Sequence, residues 1–120
     1  MPKILLAVLA ILGMVCGRAS AQTALPNLEF GNGYLEMCGA PAAEPLDTFC
    51  IYYVIGALHY DRFLADAKVA TPIRYCAPPN ATYRQIKDIL VAYLNRNPAE
   101  RDRHTAGLLM LALNRAFPCR

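Results

Sequence analysis

Four cysteines, Cys38, Cys50, Cys76 and Cys119, constrain this chain more than any other feature, because all four fall in the 99 residues that follow an export signal. The signal reads "MPKILLAVLAILGMVCGRASAQT". Lys3 supplies a positive start, Ile4 to Cys16 an apolar run of 13 residues, and Ala19-Ser20-Ala21 a small-x-small cleavage site, so the cut is expected after Ala21. Thirteen residues fall short of the roughly 20 that a membrane-spanning helix needs. No membrane anchor is therefore expected once residues 1–21 are removed. Cys16 lacks the preceding Leu and small residues of a lipid-attachment site. An even cysteine count in a small exported chain reads as two disulfides. A metal site is the competing reading, but no pair has C-x-x-C spacing, and His59 and His104 stand apart from every cysteine. Four cysteines allow three pairings, and spacing does not choose between them.

Residues 22–120 are the length of one domain with a modest core. Lys3 and Arg18 leave with the signal, so 10 Lys and Arg face 9 Asp and Glu, a formal charge of +1. That balance gives no footing for nucleic acid or an anionic membrane surface.

The pattern along 22–120 is helical throughout. Gln22 to Gly33 reads as an irregular leader, Tyr34 to Cys38 as a short helical segment and Gly39 to Pro45 as a linker. A second helix is expected from Pro45, which suits a first turn, to about Ala67, with Asp47 at its positive end. Its apolar residues lie on two faces, Cys50, Val54, Ala57 and Leu58 on one and Phe49, Tyr53, Gly56 and Phe63 on the other. A helix apolar nearly all round is expected at the centre of a fold. Gly56 costs up to about 1 kcal/mol inside a helix, which a close approach by a neighbouring helix would explain. Lys68 to Ala81 reads as a loop. Thr82 and Gln85 form a capping box for a third helix, with Ile86, Ile89, Leu90, Tyr93 and Leu94 on its inner stripe. Asn97, Pro98 and Glu100 repeat the device and predict a fourth helix directly after a tight turn. That helix would bury Ala106, Leu109, Met110, Leu113, Ala116 and Phe117 and stop at Pro118.

Catalytic chemistry finds little support. His59 and Asp61 are two apart on a helix and diverge, and His104 sits in the mixed-charge run "NPAERDRHT", the pattern of a solvated face. No phosphate loop, zinc helix motif or nucleophile elbow occurs, so neither enzyme activity nor a cofactor is expected. The seven tyrosines are more informative, since tyrosine is favoured at protein interfaces. Tyr52, Tyr60 and Tyr83 are the candidates for a partner surface, while Tyr53 and Tyr93 fall on core stripes.

Taken in order, "NGYLEMC", "CIYYVIGALHY" and the run from Tyr75 to Cys119 resemble one family, the bacterial type VI secretion immunity proteins of the resistance-associated protein and amidase-immunity (Rap/Tai) group. The matching positions are Cys38, Cys50 with Tyr53 and Gly56, Cys76 and Pro78, Thr82 and Gln85, Tyr93-Leu94 before Asn97-Pro98, and the closing Phe117-Pro118-Cys119. The resemblance implies an all-α, disulfide-stapled bundle of about four helices over 22–120, similar to acid-stress periplasmic chaperones. It implies a periplasmic protein that occludes a peptidoglycan-cleaving amidase effector, and a tendency to dimerise. The alternative is a stress chaperone or structural envelope protein with no dedicated enzyme partner. For such a bundle, the loop 68–81 can climb back along the second helix at about 3.3 Å per residue. The expected pairs are then Cys38–Cys119 and Cys50–Cys76.

Overall fold

The computed structural model describes residues 27–41 and 44–120. The export signal and its cleavage site lie outside the described residues. Among the described residues four helices occur, α1 Gly31–Cys38, α2 Leu46–Asp66, α3 Tyr83–Arg96 and α4 Thr105–Ala116, with a 3-10 turn at Pro98–Glu100 between the last two. No strand is present among the described residues, so the expected all-α bundle is what the chain forms.

The core is a single cluster. Tyr34 and Cys38 of α1, Cys50 and Val54 of α2, Leu90 and Leu94 of α3, and Leu108, Leu109 and Leu113 of α4 are all essentially buried. α3 packs against each of the other three helices. Its amphipathic stripe is the cleanest in the chain, with Ile86, Leu90, Tyr93 and Leu94 buried, as period 3.6 demands. Thr82 Oγ1 accepts a hydrogen bond from the Gln85 N–H at 3.2 Å and so satisfies one free amide at its start.

α1 begins earlier than its apolar residues suggest. Its first amides are capped by another part of the molecule: Gly31 N–H donates to Arg103 O at 3.1 Å and Asn32 N–H to Arg101 O at 2.9 Å. In return Thr105 N–H donates to Glu29 O at 2.7 Å, and the rings of Phe30 and His104 stack with centroids 5.0 Å apart. Gly31 is what lets the two segments meet. A Cβ there would stand 2.8 Å from both Leu94 Cδ2 and Leu108 Cδ1 and 3.1 Å from Arg101 O.

Three expectations need correction. The fourth helix begins at Thr105, not directly after Asn97. Asn97 turns back and donates through Nδ2 to Tyr93 O at 2.7 Å, closing α3, and Glu100 accepts from the Tyr93 hydroxyl at 2.5 Å. Residues 97–100 therefore finish α3 rather than start α4, which shifts the buried stripe of α4 to Thr105, Leu108, Leu109, Met110, Ala112 and Leu113 and leaves Ala106 and Ala116 exposed.

The second correction is the disulfide pairing. The bonds are Cys38–Cys50 and Cys76–Cys119, with Cα–Cα distances of 5.9 and 5.0 Å, not Cys38–Cys119 and Cys50–Cys76. α1 ends at Cys38, and the first turns of α2 place Cys50 beside it. The loop after α2 runs instead to the end of α4. There Asn114 Nδ2 donates to Arg74 O at 2.6 Å and Cys76 N–H to Phe117 O at 2.8 Å, and this seats Cys76 against Cys119. In the chain-entropy account, closures of 12 and 43 residues stabilise by roughly 3 and 4 kcal/mol.

The third correction is that α2 is not a central helix. Asp47, Cys50 and Val54 are its buried residues, whereas Phe49 and Phe63 are each 61% exposed. Three short helices flank only one of its sides.

Candidate partner-binding face

The bare side of α2 is the outstanding surface of the molecule. Phe49, Tyr52, Gly56, Tyr60 and Phe63 fall within about 80° of arc at 3.6 residues per turn. All four aromatics are more than 60% exposed, and the rings of Tyr60 and Phe63 stack at 6.4 Å. An aromatic side chain carries about 150–250 Å², so the four together leave on the order of 500 Å² of ring surface open to water. Monomers seldom display more than about 300–600 Å² in one apolar patch, and one side of a standard protein interface covers about 800 Å². The face thus lies in the upper range of a monomer's largest apolar patch, below one full side of a standard interface, and carries no charged side chain along its centre.

Gly56 lies in the middle of this arc. It is exposed, and among the described residues nothing lies within 4 Å of where its Cβ would be. The neighbouring helix expected over it is therefore not found among the described residues. What the glycine leaves is a flat step in the aromatic row.

Two shallow hollows border the row. One, of about 350 Å³, lies between Leu28, Phe49, Tyr52 and Tyr53. The other, of about 210 Å³, opens where α2 meets α4, around Ala57, Tyr60, Leu64, Gly107 and Met110. Both are mainly apolar, and neither contains the converging polar groups that a catalytic cleft requires. No group of three or more His, Cys, Asp or Glu suited to a metal ion occurs among the described residues, and no described helix is long and apolar enough to cross a membrane.

The orientation of α2 is set from its hidden side. Asp47, 5% exposed, accepts hydrogen bonds from Lys87 Nζ at 2.5 Å and from Arg84, which fixes the start of α2 to the first turn of α3. The hydrogen bond from Lys87 holds the Asp47 carboxyl below its ordinary value, with the nearby Arg84 acting in the same direction against some burial. Burial pushes Lys87 down, but its hydrogen bonds with Asp47 and Asp88 outweigh this and its pKa stands raised. One turn along α2, the Tyr34 hydroxyl donates to Cys50 O at 3.2 Å, and burial drives that phenol well above its usual range. Tyr53 leans on Tyr34 with ring centroids 5.3 Å apart, and its phenol is raised chiefly by burial. The disulfide to Cys38 completes the brace.

Of the three tyrosines singled out in the sequence, Tyr52 and Tyr60 stand on this face, 67% and 62% exposed. Tyr83 does not. It opens α3, 44% exposed, close enough to Tyr75 to influence its phenol. Phe49 and Phe63 were overlooked as surface residues because their spacing matches a second buried stripe. The signal that could have found them is the shortage of other helices to cover it. His104 stacks on Phe30 and lies 3.4 Å from Glu29 Oε1, at the α1–α4 seam, where it lines a hollow of about 300 Å³ with Arg103, Gly107 and Leu108.

The described residues form a four-helix scaffold with an aromatic face that none of them covers. The family model of the Rap1a immunity proteins matches residues 30–119, from the start of α1 to the last cysteine. The chain belongs to the Rap1a immunity protein family. Neither the curated proteins nor the solved structures contain a match to it. The matched span contains both disulfides and all four helices, so membership covers the whole described scaffold. Rap1a membership accords with a protein that binds a secreted effector, and such immunity proteins are typically non-enzymatic.

Proposed function

We propose that this Rap1a family member is exported, cut after Ala21, and protects its cell in the periplasm by binding a peptidoglycan-cleaving amidase effector and covering its cleft. The observation that supports this reading is the open aromatic row of α2 on a disulfide-braced body. A preformed, rigid surface loses little conformational freedom on docking, and clustered aromatics are the residues that most often dominate such contacts. Tyr52 and Tyr60, with Phe49 and Phe63, are its contact residues in this proposal, and the flat step at Gly56 admits close approach of the partner. Tyr83 lies outside it.

The test is titration of the purified protein into an amidase effector encoded beside it, with release of peptidoglycan fragments as the readout. Inhibition that saturates at a fixed stoichiometry is the expected result. Tight binding with full residual hydrolysis would remove occlusion, and no binding to any effector encoded nearby would remove the amidase. Mass spectrometry of the secreted product checks the cut after Ala21. Light scattering on the free protein decides whether a second copy occupies the face first. A stress chaperone would instead bind an apolar dye increasingly as the pH falls, with no stoichiometric enzyme partner.

A further inference from the structure

We propose that Cys76–Cys119 is a thiol–disulfide exchange site for a dithiol, and that Cys38–Cys50 is closed to the same chemistry. The two bonds differ in access. Cys38 and Cys50 are 3% and 1% exposed in the core, while Cys76 and Cys119 are both exposed. Both exposed cysteines line an open groove of about 500 Å³ between α2 and the loop that follows it, with Leu58 and Ile73 supplying apolar wall and Arg62 and Arg74 two cations against the single carboxylate of Asp61. Arg62 has only an exposed partner, Asp66 at 3.6 Å, a pair worth little in water, so its charge remains available to the groove. Cations beside a sulfur favour the thiolate form, both of an incoming nucleophile and of the leaving group.

The exchange runs in two displacements. A thiolate of the dithiol attacks Cys119 Sγ. The Cys76–Cys119 bond breaks and Cys76 leaves as a thiolate in the groove that Arg62 and Arg74 also line. The second thiol of the reagent, deprotonated, then attacks its own sulfur in the mixed disulfide and expels Cys119. The dithiol ends as a disulfide, and its two protons end on Cys76 and Cys119.

The fold is arranged to survive this and to reverse it. The buried core belongs to the four helices and to Cys38–Cys50. The loop retains the bonds from Asn114 to Arg74 O and from Cys76 N–H to Phe117 O, which keep the two sulfurs near one another. Exchange at this site therefore governs how firmly the loop and the last residues are anchored, without unfolding the bundle. This inference does not depend on the identity of the effector.

The experiment treats the native oxidised protein with dithiothreitol, quenches with N-ethylmaleimide at intervals and maps labelled peptides. Labelling of Cys76 and Cys119 at least tenfold faster than of Cys38 and Cys50 is expected. Equal rates, faster labelling of Cys38 and Cys50, or no labelling until denaturant is added would each overturn the proposal. In the Arg62→Ala/Arg74→Ala protein the rate at Cys76 and Cys119 falls several-fold, and an unchanged rate would remove the guanidinium contribution.

Discussion

At the scale of single residues, two glycines show how little residue type alone reveals. Gly31 and Gly56 both lie in helices, yet only Gly31 is pressed, with α3, α4 and a backbone carbonyl around it. Gly31→Ala forces those neighbours apart and is expected to cost about 1–3 kcal/mol, the usual penalty for overpacking, read as a lowered midpoint of chemical unfolding. Asp47 is the other residue of consequence. Its pKa lies below the ordinary 3.8, so its contribution to stability is fully present above about pH 4 and is lost as the pH falls through the lowered value. Thermal unfolding followed from pH 6 to pH 2 should show a decline below pH 4 that is smaller in Asp47→Asn. An identical decline in both proteins would mean that the clamp to Lys87 and Arg84 carries no pH dependence.

At the scale of helices, legibility followed the degree of amphipathicity. α3 could be read closely because one stripe was apolar and the rest polar, and Ile86, Leu90, Tyr93 and Leu94 are buried on that stripe. α2 could be located but not oriented. Apolar residues on both of its sides pointed to a central helix, and only the small number of helices left to pack against it shows that one side stays open. The start of α4 was hidden for a different reason. Asn97-Pro98-Ala99-Glu100 has the composition of a helix start, but tertiary partners, Tyr93 above all, claim Asn97 and Glu100. The exposed side of α2 makes its own prediction. Phe49→Ala and Tyr60→Ala should each weaken effector binding about tenfold or more, as truncated aromatic anchors do, while thermal stability stays within about 0.5 kcal/mol because exposed side chains contribute little to the core. Isothermal titration alongside thermal unfolding separates the two effects, and a loss of both together would assign these rings to folding instead.

For the whole molecule, the cysteine count was legible and the connectivity was not. Pairing depends on which chain segments lie side by side, and the loop 67–82 could have returned along α2 or crossed to α4; two hydrogen bonds to α4 and its tail decide the outcome. Cys76→Ser/Cys119→Ser should lower stability by up to about 4 kcal/mol, the chain-entropy value for a closure of this size, and make the loop the first site of proteolytic cutting. Cys38→Ser/Cys50→Ser opens a smaller closure but exposes buried positions to mismatched hydroxyls, so its cost is expected to exceed the roughly 3 kcal/mol of the entropy account.

The cradle around α1 bears on the order of events during synthesis. The carbonyls that receive the Gly31 and Asn32 amides belong to residues 101 and 103, so on the ribosome α1 is made long before its receptors exist. Until those residues arrive, the Gly31 and Asn32 amides at the start of α1 lack these partners. Truncated chains ending before residue 100 should therefore remain chaperone clients however complete their other helices are.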